Sequence, residues 1–463
     1  MRAYRRRATA ALIAAGVLGL GGCFGSGNSS RGGDVETRPH DQREFVINTE
    51  RSDPLEELPG LPTQRWTGEL NGAAYHVEVP ERDWNEILVM YAHGFRGDDK
   101  DLYVSNPRIR EFLIEQGFAW AASSFSTNFY DVRAGVEDTN ALALAFQEIA
   151  AENGRDDLPA PSRQYIMGIS MGGHVTAAAI EQETRQTANN VVDYQGAAPF
   201  CGVMGDTELF NYFLAYHLAA MELAEVGTRF PVPEQDAPDI VAAIRDHLWE
   251  DYPEEVNARG QELKDVLMHL SGGERPGYAA AFAGWQDLLQ GFIADDGTID
   301  GILNANVLDT SGITYRGADG TPTDFNDDIL TVRPDDGANA RRADGLRWIP
   351  RVLGQFSVPV VSTHTTGDLF VPFSMQQIYA RRANENGNDS RLVQRAVRTT
   401  GHCDFTVQEK VESFMAMHEW VETADKPTGD NILDPGIVSD PDFGCEFTTA
   451  DRLDQGIGPC PTE

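Results

Sequence analysis

Short apolar runs alternate with longer helical repeats along residues 64–202, and the same alternation returns along residues 357–424. Runs such as residues 87–92, in which every side chain is apolar or aromatic, are typical of strands buried on both faces. Segments such as residues 134–153 instead carry apolar residues at helical spacing. Alternating strands and helices with connections of this length predict an α/β protein with a mostly parallel, doubly wound sheet.

Turn and cap signals set several boundaries. Asn71-Gly72 separates the first two strands and predicts a type I′ hairpin. Asn106 followed by Pro107 predicts a helix start, and Gly117 predicts the end of that helix. The predicted strands are residues 65–70, 73–79, 87–92, 118–123, 164–167, 191–198, 358–364 and 391–397.

Residues 203–356 interrupt the alternation of strand and helix. Helical periodicity predicts helices at residues 209–226, 240–249, 262–270 and 279–292. This segment carries much of the aromatic content: Phe210, Tyr212, Phe213, Tyr216, Trp249, Tyr278, Phe282, Trp285 and Phe292. The aromatic residues can roof an apolar pocket or fill the core of the inserted segment itself, and the pattern does not divide them between these two roles.

Residues 166–174 contain a Gly-x-Ser-x-Gly pentapeptide centred on Ser170. An apolar strand precedes it and a small-residue helix follows it. A serine at such a sharp turn is held exposed, and Gly168 and Gly172 keep Cβ atoms away from the neighbouring strand and helix. Ser170 is therefore the candidate nucleophile.

Two further groups follow predicted strand ends. Asp368 comes after residues 358–364, and His402 comes after residues 391–397. A serine hydroxyl needs an imidazole to accept its proton, and the imidazole needs a carboxylate that fixes its tautomer and stabilises its cation. The sequence therefore predicts a triad of Ser170, His402 and Asp368 at the carboxyl edge of the sheet.

Other residues compete for these roles. His418 lies within a helical pattern at residues 407–421, and His174 lies one helical turn beyond Ser170, so both are expected to be structural. Asp404 is only two residues from His402, a spacing that does not let its carboxylate reach Nδ1 of that ring. Cys403 is adjacent to His402 and cannot attack with it as a cysteine nucleophile.

Four segments together resemble the α/β-hydrolase superfamily: His93-Gly94, the turn at Ser170, Gly-Asp-x-x-Val-Pro at 367–372 and Gly-His-Cys-x-Phe-Thr at 401–406. They are similar most closely to secreted or lipid-anchored bacterial serine esterases, lipases and polyester depolymerases. The resemblance covers residues 64–202 and 357–424. It implies an α/β-hydrolase fold with a large helical cap inserted between strands 6 and 7.

The resemblance also implies an activity. We expect hydrolysis of carboxylic esters through an acyl-enzyme, with an apolar acyl or polyester chain as substrate and without a metal or organic cofactor. A serine peptidase of the prolyl-oligopeptidase-like kind is the alternative with the same chemistry. A non-catalytic binding lipoprotein on a hydrolase scaffold is the alternative from another class.

The same resemblance implies an oxyanion hole formed by the backbone N–H groups of Phe95 and Met171. His93 is expected to brace the loop without taking part in catalysis. Residues 123–130 follow the fourth strand of the core, so Asn128 or Tyr130 could contact substrate, although such residues more often cap the next helix.

The N-terminus predicts export. Residues 2–7 include four arginines, and the apolar stretch at 8–20 is too short to span a bilayer. Leu20-Gly21-Gly22-Cys23 resembles the lipobox of a bacterial lipoprotein, which implies a signal peptide at 1–22, lipidation of Cys23 and a flexible tether at 23–40. Phe24 is not the aspartate that commonly retains lipoproteins at the inner membrane. We therefore expect an outer-membrane or cell-surface location, with plain secretion as the alternative.

The formal net charge is −35. A chain this acidic disfavours nucleic acid and anionic lipid as partners. Acidic residues spread over solvated faces are typical of an exported protein in a salty medium. The cluster at 295–300 lacks the full spaced ligand set of a calcium loop, so no metal is predicted.

Four cysteines remain besides Cys23. In an oxidising compartment an even number of cysteines indicates disulfides. Cys445 and Cys460 both lie in the tail at 425–463 and are expected to form one disulfide. Cys201 and Cys403 both follow predicted strand ends and are expected to form the other. The predicted organisation is a hydrolase core at 41–202 and 357–424, a mainly helical cap at 203–356 and this stapled tail.

Overall fold

The structure is a computed structural model that describes residues 44–299 and 301–460. The predicted signal peptide, the tether and Cys23 lie outside the described residues. Within the described ranges, no helix combines the length and the hydrophobicity needed to cross a bilayer. The described residues belong to one compact unit.

Twelve strands are present in the described part of the chain. In order they are β1 (Val46–Ile47), β2 (Thr63–Leu70), β3 (Ala73–Pro80), β4 (Ile87–Ala92), β5 (Asp101–Leu102), β6 (Ala119–Ser123), β7 (Arg163–Ile169), β8 (Gly196–Phe200), β9 (Trp249–Asp251), β10 (Glu255–Val256), β11 (Val360–Thr365) and β12 (Leu392–Val397). Eight of them form the central sheet, in the order β12-β11-β8-β7-β4-β6-β3-β2.

The direction of the strands defines the fold. β3 is antiparallel to both of its neighbours, β2 and β6. Every other neighbouring pair in the central sheet is parallel. One antiparallel second strand, followed by a crossover that places β6 between β3 and β4, is the topology of the α/β-hydrolase fold. The predicted fold class is confirmed.

Helices cover the sheet and form the insertion. In order they are α1 (Arg110–Glu115), α2 (Val132–Glu152), α3 (Met171–Ala179), α4 (Gln182–Thr187), α5 (Glu208–Leu223), α6 (Ala237–Leu248), α7 (Ala258–Leu270), α8 (Tyr278–Gly291), α9 (Ser374–Glu385), α10 (Val407–Thr423) and α11 (Pro435–Val438). The apolar faces of α2 and α3 pack with the sheet and the insertion into one core, whereas α10 packs into a second core on the opposite face. Burial of one large side chain, such as Phe146 on α2, contributes about 2 kcal/mol relative to leaving it exposed.

The insertion between β8 and β11 is helical only in its first half. Helices α5 to α8 occupy the four segments predicted as helices. From residue 293 to residue 359 the described residues form no α-helix or strand, only the short 3-10 helix Asp324–Asp327 and an isolated bridge between Arg316 and Pro322. Apolar residues of this irregular half, such as Leu303 and Ile349, are nevertheless buried.

Candidate active site

Ser170 lies at the turn between β7 and α3, with φ 57° and ψ −123°. This backbone conformation is strained for a residue with a Cβ, and it persists because the neighbouring residues leave room for it. A Cβ on Gly168 would lie 2.3 Å from the carbonyl oxygen of Gly172, and a Cβ on Gly172 would lie 2.1 Å from that of Ala92. Only glycine fits at both positions, which is the steric reason for the Gly-x-Ser-x-Gly spacing.

Ser170, His402 and Asp368 form a continuous hydrogen-bonded chain. His402 Nε2 lies 2.8 Å from Ser170 Oγ, and Nδ1 lies 2.5 Å from Asp368 Oδ2. The carboxylate of Asp368 is fully buried, and its Oδ1 accepts hydrogen bonds of 3.0 Å from the backbone N–H groups of Phe370 and Val371. These two bonds fix the orientation of the carboxylate, so that Oδ2 faces the imidazole.

The competing residues point elsewhere. Asp404 Oδ2 accepts hydrogen bonds from Thr399 Oγ1 and Gln455 Nε2, at 2.8 and 3.0 Å. His418 lies on α10, where its Nδ1 is 3.2 Å from the hydroxyl of Tyr165. Both side chains therefore have partners outside the predicted triad.

The two backbone groups predicted for the oxyanion hole flank the serine. Met171 is the first residue of α3, where helix geometry leaves the N–H without an intrahelical acceptor. Phe95 follows Gly94, at which a Cβ would lie 3.2 Å from the Cβ of Ser170. Among the described residues, neither the N–H of Phe95 nor that of Met171 donates an intramolecular hydrogen bond.

His93 braces the loop that carries Phe95. Its ring stacks on Phe125 at 4.0 Å, and its nitrogens contact the carbonyl oxygens of Gly94 and Ser124 at 2.7 and 3.0 Å. Burial, with a smaller contribution from the charge of Arg96, lowers the pKa of His93 to about 3. A neutral ring carries one N–H, so one of these two contacts is a hydrogen bond that ties His93 to the loop backbone, which agrees with the bracing role predicted for it.

A cavity of about 400 Å³ opens at Ser170. Its apolar wall combines residues of the core and of the cap. The members of this wall are Phe95, Phe129, Tyr130, Val203, Leu209, Phe210, Phe213, Leu214, Phe292, Ala294, Ile299, Leu308, Phe370 and Val371. A largely pre-formed, aromatic-lined cavity with a nucleophile in its wall is typical of a small-molecule site.

The charged residues of the cavity are all acidic. The exposed residues Asp98, Glu234, Asp295 and Asp296 line it and mark its solvent side. None of the described lining residues is lysine or arginine. His217 also lines the cavity, but burial lowers its pKa to about 4 and its Nε2 lies 2.6 Å from the carbonyl oxygen of Leu289. Carboxylates are therefore the charged residue type in the described part of the cavity wall.

Of the two candidate substrate contacts, the structure places only Tyr130 in the cavity wall. Its hydroxyl donates a 2.9 Å hydrogen bond to His174 Nδ1, because burial lowers the pKa of His174 to about 4 and its Nε2 is paired with the carbonyl oxygen of Pro350. Asn128 is outside the cavity lining. Its buried amide donates to the backbone oxygens of Asp99 and Asp101 and so fixes a neighbouring loop.

Residues of the cap hold the loops that carry the acid and the histidine. Arg275 Nε donates to the carbonyl oxygen of Thr366 and the Tyr212 hydroxyl donates to that of Leu369, on either side of Asp368. Trp285 Nε1 donates a 3.0 Å hydrogen bond to the carbonyl oxygen of Thr400. Sequence reasoning missed these roles because their targets are backbone carbonyls, which leave no signal in a residue pattern.

Phe370 links the cap to the histidine and was also missed. Its ring meets that of His402 edge-on at 5.2 Å. The same ring stacks with Phe213, Trp285 and Phe292 of the cap at 6.1 to 6.5 Å. The position of Phe370 two residues after Asp368 was the only sequence signal that could have pointed to it.

Both cysteine pairs are disulfides in the structure. The Cα atoms of Cys201 and Cys403 are 5.4 Å apart, and those of Cys445 and Cys460 are 5.5 Å apart. Cys201, Cys403 and His402 also form a close group of potential metal ligands. Because the two sulfurs are bonded to each other, this group offers no thiolate and does not fit a metal site.

Known proteins resemble this chain both in sequence and in structure, although no family model matches it. An o-phthalyl amidase from Xanthobacter agilis is 23% identical over 440 residues, which cover 81% of this chain and 88% of that protein. The rice cell wall degrading esterase LipA from Xanthomonas oryzae is 12% identical with a TM-score of 0.36, covering 76% of this chain and 85% of that one. Carboxyl esterase 2 from Tuber melanosporum is 12% identical with a TM-score of 0.37, covering 82% and 91%.

Proposed function

We propose that this α/β-hydrolase, which resembles serine esterases, cleaves carboxylic esters through a covalent acyl-enzyme on Ser170. One observation carries the proposal: the Ser170 hydroxyl is hydrogen-bonded to the His402–Asp368 pair in the wall of an aromatic cavity. A serine activated in this way and facing a small-molecule cavity has the parts that acyl transfer needs.

Acylation of the serine involves the three triad residues and two backbone N–H groups. His402 Nε2 takes the proton of Ser170 as Oγ bonds to the carbonyl carbon of the substrate. The carbonyl oxygen becomes an oxyanion and accepts hydrogen bonds from the N–H groups of Phe95 and Met171. The intermediate then collapses: the bond to the leaving oxygen breaks, and that oxygen takes the proton from His402. Asp368 stabilises the imidazolium throughout and keeps its own charge.

Deacylation repeats the sequence with water. A water molecule gives a proton to His402 Nε2 while its oxygen bonds to the acyl carbon. The second oxyanion is held by the same two N–H groups. When the bond to Ser170 Oγ breaks, His402 returns the proton to the serine, and the carboxylic acid leaves.

The residues that line the cavity favour one class of substrate. Aromatic side chains from both the core and the cap favour a planar or apolar acyl group, and about 400 Å³ is at the small end of the range for ligand pockets. The carboxylates at its solvent side repel anions. We therefore propose an ester whose acyl group is aromatic or apolar and carries no negative charge.

Amide hydrolysis is the second candidate, and the sequence relative favours it. That relative is named an o-phthalyl amidase, and a serine triad can cleave amides as well as esters. An ester and an amide with one acyl group, p-nitrophenyl benzoate and benzoyl p-nitroanilide, separate the two candidates. A third compound, p-nitrophenyl esterified to one carboxyl of phthalic acid, tests whether a free carboxylate is rejected.

The decisive experiment replaces the nucleophile. Ser170→Ala should abolish hydrolysis of p-nitrophenyl esters and labelling by a fluorophosphonate, while far-UV dichroism stays unchanged because little packing is lost. The matched control is Ser390→Ala at an exposed position, which should keep wild-type activity. Activity of Ser170→Ala within tenfold of wild type would refute the mechanism, whereas a wild-type protein without activity or labelling would favour the binding-lipoprotein alternative.

The location is a separate proposal that rests on the sequence. We propose that the chain is exported and anchored through lipid on Cys23, with the two disulfides as support for an oxidising compartment. The full-length protein should partition into the detergent phase of Triton X-114, and Cys23→Ser should move it to the aqueous phase. Equal partitioning of the two proteins would contradict an anchor at Cys23.

A further inference from the structure

The loop Thr399–Asp404 carries His402 and has no helix or strand of its own. The position of the imidazole therefore depends on what holds this loop. The core supplies two contacts: Thr365 Oγ1 donates to the carbonyl oxygen of Gly401, and the N–H of Gly367 donates to that of Thr399. The Cys201–Cys403 disulfide and the hydrogen bond from Trp285 to Thr400 also anchor the loop, and the C-terminal tail supplies further contacts.

Gln455 of the tail contacts the loop on both sides of His402. Its Oε1 accepts a 2.8 Å hydrogen bond from the N–H of Thr400 and lies 2.8 Å from Thr399 Oγ1, whose single proton can be donated either to Gln455 Oε1 or to Asp404 Oδ2. Its Nε2 donates a 3.0 Å hydrogen bond to Asp404 Oδ2. One side-chain amide thus bridges the residues before and after the histidine.

Gln455 is itself held firmly. It lies in the 3-10 turn Leu453–Gln455, beside Arg452, which pairs with Glu409 Oε2 at 2.9 Å. Ile457 is buried against the start of α8, near Gly277. The disulfide between Cys445 and Cys460 closes the segment around this turn. The tail is therefore a fixed support.

We propose that Gln455 is a positioning residue for His402, and that the disulfide-closed tail serves to present its amide to the histidine loop. This inference rests on the proposed function, because it assigns Gln455 a part in the same reaction. Gln455 is not among the residues that line the cavity, so it acts on His402 through the loop and leaves substrate binding unchanged.

The first test separates turnover from binding. Gln455→Leu removes the hydrogen bonds of the side-chain amide to Thr399, Thr400 and Asp404, and a small displacement of a catalytic group greatly lowers the rate. We expect kcat for a p-nitrophenyl ester to fall at least about tenfold, with KM within about twofold of wild type. Gln261→Leu, the same change at an exposed position on α7, is the control and should keep the wild-type kcat.

A second variant gives a readout that loss of folding cannot mimic. In Gln455→Glu a neutral Glu side chain can accept a hydrogen bond from Thr400 and donate one to Asp404, as the amide does. A charged Glu side chain cannot donate and is repelled by the carboxylate of Asp404. Because two close carboxylates share a proton, one of them has a raised pKa. The ratio of kcat in Gln455→Glu to that in wild type should therefore rise toward one as pH falls from 8 to 5.5.

The outcomes are distinct. A kcat of Gln455→Leu within twofold of wild type, or a fall in kcat fully explained by a lower folded fraction in thermal melts, would overturn the inference. A pH-independent ratio for Gln455→Glu would overturn it as well. In either case loss of activity in Ser170→Ala would leave the proposed function standing, whereas retained activity in Ser170→Ala would remove both.

Discussion

Two aspartates lie near the loop of His402, and their carboxylates have different partners. Asp368 is 34 residues away in sequence, yet its buried carboxylate meets Nδ1 of the ring. Asp404 is two residues away, but its carboxylate faces Thr399 and Gln455. Proximity in sequence is a poor guide here, because a ring and a carboxylate on one tight loop point in different directions.

This division predicts unequal effects of the same substitution. Asp368→Asn removes the charge that fixes the imidazole tautomer, and kcat should fall by about 10⁴-fold. Asp404→Asn keeps an oxygen that can accept from Thr399 and Gln455, so kcat should stay within about tenfold of wild type. Steady-state kinetics with a p-nitrophenyl ester measures both. The acid assignment is wrong if Asp404→Asn proves the more damaging change.

At the scale of elements, the cap does more than cover the cavity. Helix α5 contributes Phe210 and Phe213 to the cavity wall, and α8 contributes the Trp285 side chain that bonds to the histidine loop. The preceding turn contributes Arg275, which bonds to the acid loop. The first half of the cap is thus part of the framework that positions Asp368 and His402.

Two tryptophans of the cap allow a matched test of this framework. Trp285→Phe removes the hydrogen bond to Thr400 but keeps an aromatic ring against Phe370. Trp249→Phe removes an equivalent hydrogen bond, from Nε1 to the carbonyl oxygen of Pro253, inside the cap. Each should cost about 1 kcal/mol of unfolding free energy.

Only Trp285→Phe should lower kcat, by several-fold with little change in KM, because only its lost bond reaches the histidine loop. Thermal melts and kinetics on the two variants provide the comparison. Equal activity in both variants would show that the cap does not position the histidine.

At the scale of the whole molecule, one disulfide ties distant parts of the chain together at the site. Cys201 follows β8 and Cys403 lies beside His402, with a sequence separation of 202 residues. Their bridge therefore joins the two halves of the core across the entire cap. The second disulfide, Cys445–Cys460, closes a separation of only 15 residues in the tail.

Removal of each disulfide should lower the free energy of unfolding by a different amount. In the chain-entropy account, closing a loop of about 200 residues stabilises by about 5 kcal/mol, and a loop of about 15 residues by about 3 kcal/mol. The double change Cys201→Ser with Cys403→Ser should lower both Tm and kcat, because it frees the histidine loop. The double change Cys445→Ser with Cys460→Ser should lower Tm less.

Peptide mapping without reduction is the direct check on this pairing. It should recover the peptides of Cys201 and Cys403 joined to each other. Recovery of Cys403 as a free thiol, or linked to the tail, would contradict the pairing without affecting the triad.

The sequence by itself determined the fold class and the order of the elements. It also predicted the parts of the site that are encoded locally. The turn at Ser170 and the two-residue turn Asn71-Gly72 are short-range structures, in which glycine occupies positions that a Cβ would block or that need positive φ. Asp368 and His402 followed from the rule that parallel strands end at one edge of a sheet.

Some local signals were overridden by contacts from elsewhere. Asn106 predicted a helix start, but α1 begins at Arg110, because the Asn106 amide is bonded to His76 and to the backbone of Pro54. Leu144 is an apolar residue of the helical pattern at 134–153, but it lies on the opposite side of α2 from the buried Leu142 and is 56% exposed. Helix boundaries and faces depend on the partners available, which a single segment does not reveal.

Only the tertiary structure showed which aromatic residues of the cap line the cavity and which fill the core. It placed Phe210, Phe213 and Phe292 in the cavity wall and buried Tyr216 within the protein. It also decided that Gln455 supports the histidine loop, from 51 residues beyond Asp404. Contacts of this kind join side chains to groups far away in sequence. They carry no periodicity and no motif, because their geometry exists only once the chain has folded.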